Sequence, residues 1–167
     1  MRVLFLHGYG SSSETDKFKA ITSNKVTHKF CPYIEYNKTD FLSLFTKLSH
    51  IVEKFRPDLI IGHSLGGYWA KVMSNAYHIP CILLNPQLFP KKKYGFPNLD
   101  KSDFETGVWT YSYLESGDDI IDYEKTKLIL ENYTDLEIYE GGHHRIKNLD
   151  SINSIIEKHS RIDGIYD

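Results

Sequence analysis

The sequence predicts an α/β fold, a three-layer α/β/α sandwich on a mainly parallel sheet, and three observations carry that expectation. Short runs that are apolar without alternation, Val3 to Leu6, Leu59 to Gly62 and Cys81 to Leu84, read as strands covered on both faces. Between them lie longer segments with apolar residues at three- and four-residue spacing, which read as helices. The alternation continues through 167 residues without an internal repeat or a linker, so one domain around a single core is expected.

The elements follow in order. Arg2 to Leu6 is the first strand, ended by His7-Gly8-Tyr9-Gly10 and three serines. Ser13-Glu14-Thr15-Asp16 has the spacing of a capping box, with Ser13 expected to accept from the Asp16 N–H and a helix to run through Phe18, Ala20 and Ile21. Val26 to Cys31 alternates and stops at Pro32, as a short strand near a sheet edge does. From Asp40, the residues Phe41, Leu44, Phe45, Leu48, Ile51, Val52 and Phe55 define an amphipathic helix that Pro57 stops. Leu59 to Gly62 is the third strand, and a helix follows it to about Tyr77, before Ile79-Pro80. After the fourth strand, residues 87–107 show no sustained period and carry Pro90, Gly95 and Pro97, which marks a small insertion expected to cap the sheet edge. Val108 to Leu114 is a strand leading into an acidic turn, Tyr123 to Leu130 lies on a helix, and Leu136 to Tyr139 is the last strand. Ile152, Ile155 and Ile156 have core spacing on the final helix.

Composition narrows the function classes. Hydrophobic residues at 41% and charged residues at 25% are those of an ordinary globular chain, which argues against disorder. A net charge of -2 gives no long-range attraction for nucleic acid or anionic membranes, so neither is expected as a partner. The first apolar run is too short for a leader or a bilayer span, which makes the cytoplasm the expected location. Cys31 and Cys81 lack C-x-x-C spacing and read as buried free thiols, and no metal-ligand spacing occurs, so neither a metal nor another cofactor is expected.

The chemistry centres on Gly62-His63-Ser64-Leu65-Gly66, set between the third strand and its helix. Strand, G-x-S-x-G and helix in that order form a nucleophile elbow, whose turn is so tight that the flanking residues must lack a Cβ. Ser64 is then held in a strained conformation at the positive end of a helix. A serine hydroxyl needs a base to take its proton, and the base needs a carboxylate to fix its tautomer. Strand ends on one sheet edge bring Tyr9, Ser64, Asn85, Asp118 and the His143-His144 pair to the same side. Asp118, at the end of the fifth strand, is the preferred acid, ahead of Asp119, while Asp122 reads as a helix cap. His144 is preferred as base over His143, because the two preceding glycines let the second histidine reach back. The remaining histidines, including His7 and His63, read as structural.

The backbone N–H groups of Leu65 and Tyr9 are the candidate oxyanion donors. The Tyr9 side chain, with Tyr68, Phe89 or Trp109, is a candidate lining for an acyl pocket. Lys91, Lys92 and Lys93 read as a solvated stretch, with recognition of an anionic substrate as the alternative.

Five ordered motifs resemble one family over nearly the whole chain. They are His7-Gly8-Tyr9-Gly10-Ser11-Ser12, the Gly62 to Ala70 elbow, Asn85-Pro86-Gln87-Leu88-Phe89-Pro90, Ser116-Gly117-Asp118-Asp119-Ile120-Ile121-Asp122-Tyr123 and Glu140-Gly141-Gly142-His143-His144. Together they look like the YqiA/YcfP family of small bacterial α/β-hydrolase-fold proteins. The resemblance implies a minimal α/β-hydrolase fold lacking the first two strands of larger relatives, and an esterase acting on short acyl esters. By position it supports Ser64, Asp118 and His144 as catalytic residues. The family's Gly-Gly-Asn-His stretch reads Gly-Gly-His-His here, which keeps His143 as an alternative. The expected function is thus a cofactor-free serine esterase for a small-molecule ester. The other readings are a thioesterase or peptidase-like serine hydrolase, and a non-catalytic binding protein on the same fold.

Overall fold

The computed structural model describes residues 1–163, with side chains to residue 160. Among the described residues six strands form one sheet: β1 (Arg2–Leu6), β2 (His28–Phe30), β3 (Leu59–His63), β4 (Cys81–Leu84), β5 (Thr110–Glu115) and β6 (Asp135–Tyr139). They lie in the order β2-β1-β3-β4-β5-β6, and every neighbouring pair is parallel. The helices are α1 (Asp16–Lys19), α2 (Phe41–Phe55), α3 (Leu65–Tyr77), α4 (Tyr123–Tyr133) and α5 (Asp150–Asp163).

The unalternating strands are apolar because both faces are covered. On one side Leu4, Leu6, Ile60, Leu83 and Leu114 pack against Leu44, Leu48 and Val52 of α2, Trp69 and Met73 of α3, and Leu130 of α4. On the other side Val3, Phe5, Leu59, Ile61, Ile82 and Leu84 meet Ile21 and the α5 residues Ile152, Ile155 and Ile156. Three layers result, as the sequence predicts. β1 lies between β2 and β3, so successive connections leave it in opposite directions. Loops after β1 and β3 therefore part there and open a crevice at the carboxyl ends of the strands.

Local chemistry sets the element ends. Asp40 caps α2 by accepting from the Ser43 N–H at 2.9 Å, and Asp122 caps α4 through Lys125 N–H at 3.2 Å. The Ser13 capping box does not form. α1 starts at Asp16 with Thr15 at the N-cap and no side-chain cap bond, and the helix is only four residues long. Asp16 Oδ1 is instead taken by the Lys17 backbone N–H and ammonium, each at 2.8 Å. β2 is shorter than Val26 to Cys31 because an edge strand pairs on one side only, and just three of its residues are in register with β1.

Residues 85–109 connect β4 and β5 through two short 3-10 turns, Lys92–Tyr94 and Lys101–Phe104. Leu88, Phe96, Leu99 and Phe104 are buried with Tyr68 and Trp69, so this segment extends the α2-α3-α4 layer. Cys31 and Cys81 are free and buried, and burial pushes the Cys31 thiol up to about 12. Among the described residues no helix is long and apolar enough to cross a membrane.

Candidate active site

Ser64 sits between β3 and α3 with φ 57° and ψ -122°, a region that L-residues avoid. The glycines around it explain how the chain holds that turn. A Cβ at Gly62 would run into the Gly66 carbonyl, and one at Gly66 would run into the Leu6 carbonyl of β1. Packing of α3 against β1 and β3 thus forces the strained turn and leaves the hydroxyl at the crevice.

The Ser64 Oγ is 2.8 Å from His144 Nε2, and His144 Nδ1 is 2.7 Å from Asp118 Oδ2. The carboxylate fixes the proton on Nδ1, which leaves Nε2 free to accept the serine proton. Asp118 is held in turn: its Oδ1 accepts from the Ile120 N–H at 2.9 Å and the Ile121 N–H at 3.2 Å. His143 turns to solvent, and only its backbone takes part. Asp119 is exposed and bonds neither histidine.

The loop that carries His144 is anchored by side chains that the sequence reading did not assign to it. Glu115, fully buried at the end of β5, accepts from the N–H groups of His143 (2.7 Å), Lys147 (2.8 and 2.9 Å) and Asn148 (2.9 Å). The Tyr113 hydroxyl adds a bond of 3.2 Å. Asn85 donates to the carbonyls of both His143 and His144 at 3.1 Å and accepts from the Glu115 N–H. His63 Nε2 meets the His144 carbonyl at 2.7 Å, and buried Lys17 donates to the Arg145 carbonyl at 3.0 Å. Burial, helped by the nearby Lys17 charge, lowers His63 to about 3, so it is neutral and donates that Nε2 proton. Gly141 and Gly142 have φ of 84° and 69°, and a Cβ on Gly142 would strike the Glu115 carboxylate.

Two main-chain donors face the same crevice. The Ser64 carbonyl accepts from Gly67, Tyr68 and Gln87 N–H groups, which aims the Leu65 N–H of the same planar peptide the other way. Similarly, the Gly8 carbonyl accepts from Ser11 N–H at 3.2 Å and from His7 Nδ1 at 2.8 Å. His7 Nε2 accepts from Ile34 N–H, so Nδ1 carries the proton, and the Tyr9 N–H points away from that pair. Neither Leu65 N–H nor Tyr9 N–H donates to any described residue.

Two clefts meet at Ser64 and His144. One, of about 340 Å³, is polar and includes Gly8, Ser11, Asp16, Lys17 and Arg145. The other, of about 240 Å³, is lined by Tyr9, Leu65, Gln87, Lys91, Tyr94, Ile120 and Arg145. Tyr9 lines both. Three other aromatics do not reach the clefts. Tyr68 is fully buried with its hydroxyl on the Pro97 carbonyl at 2.7 Å. Phe89 is half-buried beneath Lys125, whose ammonium lies 4.0 Å from the ring centroid. Trp109 precedes β5 at the opposite sheet edge, bonded to Asp135 and stacked on His159. In their place stand Tyr94, Ile120 and Arg145; the last was detectable only as the residue after His144. Among the described residues no cluster of three or more His, Cys, Asp or Glu side chains is arranged to hold a metal ion.

The model of the uncharacterised protein family UPF0227, the YqiA/YcfP family, matches residues 2–111, well over half of the sequence. The chain belongs to this family. No curated protein matches the sequence. Among solved structures, this UPF0227 chain is similar to an alpha/beta hydrolase enzyme from the metagenome of sediments of the lagoon of Mar Chica, Morocco. The TM-score is 0.79 at 14% identity, covering 98% of this chain and 92% of that one. It is also similar to Est1E from Butyrivibrio proteoclasticus, with TM-score 0.73, 12% identity and coverage of 94% and 87%. An alpha-beta serine hydrolase homologue from Coxiella burnetii matches with TM-score 0.67 and 12% identity over 95% and 84% of the two chains. At these identities the likeness establishes a minimal α/β-hydrolase fold.

Proposed function

We propose that this UPF0227 member is a serine esterase that cleaves carboxylic esters of small or short-chain acyl groups through a Ser64 acyl-enzyme. The observation that carries the reading is the unbroken line Asp118, His144, Ser64, with bonds of 2.7 and 2.8 Å. Ser64 Oγ attacks the ester carbonyl while His144 Nε2 takes its proton, and Asp118 stabilises the resulting imidazolium. The carbonyl oxygen becomes an oxyanion in reach of Leu65 and Tyr9 N–H, donors of a kind whose individual loss costs roughly 100- to 1000-fold in rate. Collapse breaks the bond to the alcohol, which leaves with the proton from His144. Water then attacks the acyl-enzyme by the same route, giving up one proton to His144 and releasing the carboxylic acid and Ser64. Each step uses only groups of the chain, the ester and water.

Cleft volumes of about 340 and 240 Å³ support small acyl and alcohol groups over long lipid chains. The names of structural relatives point the same way, since they include an esterase domain and a serine hydrolase homologue. A panel of 4-nitrophenyl esters from acetate to dodecanoate tests the reading. Turnover is expected to be highest for the short chains and abolished by Ser64→Ala. Equal or no turnover in wild type and Ser64→Ala overturns it.

A further inference from the structure

The charge around Ser64 is opposite in sign to the charge of the chain as a whole, which is -2. Arg145 follows His144 and lines both clefts, while Lys91 lines the more apolar one. Lys93 stands 5.0 Å from the ring centroids of both Tyr9 and Tyr94, which keeps a further cation at the rim. The nearby acids are already engaged. Asp118 holds His144, and Asp16 is paired with the buried Lys17 at 2.8 Å. Neither Arg145 nor Lys91 has an acidic partner among the described residues. Unpaired cations beside an aromatic wall suit a ligand with a short carbon body and an anionic end, and a guanidinium matches a carboxylate two bonds at a time.

We propose that the ester this site cleaves carries a carboxylate a few bonds from the scissile carbonyl, received by Arg145 and Lys91. The inference rests on the esterase reading and sharpens it from small esters to acidic ones. Arg145 and Lys91 are specificity-determining residues here, since they touch the substrate's charged end and not the reacting atoms. The basic rim also steers such an anion towards Ser64 at low ionic strength.

The test compares kcat/KM for two matched pairs. On the acyl side, 4-nitrophenyl hydrogen adipate is set against 4-nitrophenyl hexanoate. On the alcohol side, 4-carboxyphenyl butyrate is set against its methyl-ester analogue. At least one acidic member is expected to be preferred about tenfold or more, the size of one charge-assisted contact. The side that shows the preference identifies which half of the ester, acyl or alcohol, lies in the cleft that Arg145 and Lys91 share. Arg145→Gln with Lys91→Gln is expected to cut that acidic-to-neutral ratio at least about fivefold, and about 0.5 M salt to shrink it in the wild type. Hydrolysis of the neutral esters with no acidic preference in either pair overturns this inference and leaves the esterase reading intact. A ratio that the double variant does not change also overturns it. No hydrolysis of any of the four esters overturns both.

Discussion

Glu115→Gln isolates the buried clamp from the reacting groups, because it changes one atom of a side chain that touches neither Ser64 nor the His144 ring. The carboxylate takes bonds from His143, Lys147 and Asn148 N–H groups and from the Tyr113 hydroxyl. An amide offers one acceptor oxygen and turns an NH2 towards donors. In the less costly orientation the NH2 replaces Oε2, which leaves the His143 N–H without a partner and removes one of the two Lys147 contacts. A buried donor left unsatisfied costs about 1–3 kcal/mol, and the surviving bonds lose their charge assistance. Removal of a buried charge returns part of its desolvation cost, so the net loss is about 2–3 kcal/mol. For a domain of this size that lowers the thermal midpoint by roughly 5–10 °C. If 1–3 kcal/mol of it falls on the His144 loop, kcat drops roughly 5- to 150-fold. On a neutral short ester KM is expected to change less than kcat, because Tyr9, Leu65 and Tyr94 line the cleft from other elements, while Arg145 shares the clamped loop with His144. Steady-state kinetics well below the transition, paired with a melting curve, reads both quantities. A variant that melts early but keeps wild-type kcat refutes the positioning role, and one unchanged in both refutes the clamp.

The imidazole pair separates cleanly: His144→Ala is expected to lower kcat/KM by at least about 10³-fold, whereas His143→Ala stays within about threefold, measured on one short ester. Asp118→Asn loses the acceptor that fixes the Nδ1 proton and is expected to lose about 10³- to 10⁴-fold in kcat. Gly142→Ala adds a Cβ against Glu115 at a residue with φ 69°, and both activity and melting temperature are expected to fall together. His63 gives a pH signature. Its folded value of about 3 lies below the ordinary 6.5, so its contribution to stability is full above pH 6.5 and is lost as the pH falls towards 3. The slope is about 1.4 kcal/mol per pH unit, or about 2 kcal/mol between pH 8 and pH 5. In urea titrations, His63→Gln is expected to reduce the acid-side loss by that amount, and an unchanged pH dependence counts against a neutral buried His63.

Much of this site was legible because its parts are local in sequence. Gly62, Ser64 and Gly66 define the elbow within five residues, and unalternating strands announce a sheet covered on both faces. Order along a parallel sheet then carried Asp118 and His144 to the same edge. What escaped was the support built from distant partners. Glu115 looks like part of an acidic turn until its bonds to residues 28 to 33 positions later are seen. Nothing local marks Lys17, whose ammonium crosses to the Arg145 carbonyl, 128 positions away. The aromatics failed for a different reason. Trp109 lies one residue before β5, so the strand's direction sends it to the edge away from Ser64, and Tyr68 faces inward on the first turn of α3. Strand direction decides the first case and one helical angle the second, and composition fixes neither.

The central claim is a hydroxyl made nucleophilic by His144, and covalent labelling measures that directly. A fluorophosphonate probe followed by peptide mass spectrometry is expected to place one adduct on Ser64, with labelling lost in Ser64→Ala and slowed at least about 100-fold in His144→Ala. Wild-type protein that is folded yet unlabelled, or His144→Ala that labels at the wild-type rate, would contradict it.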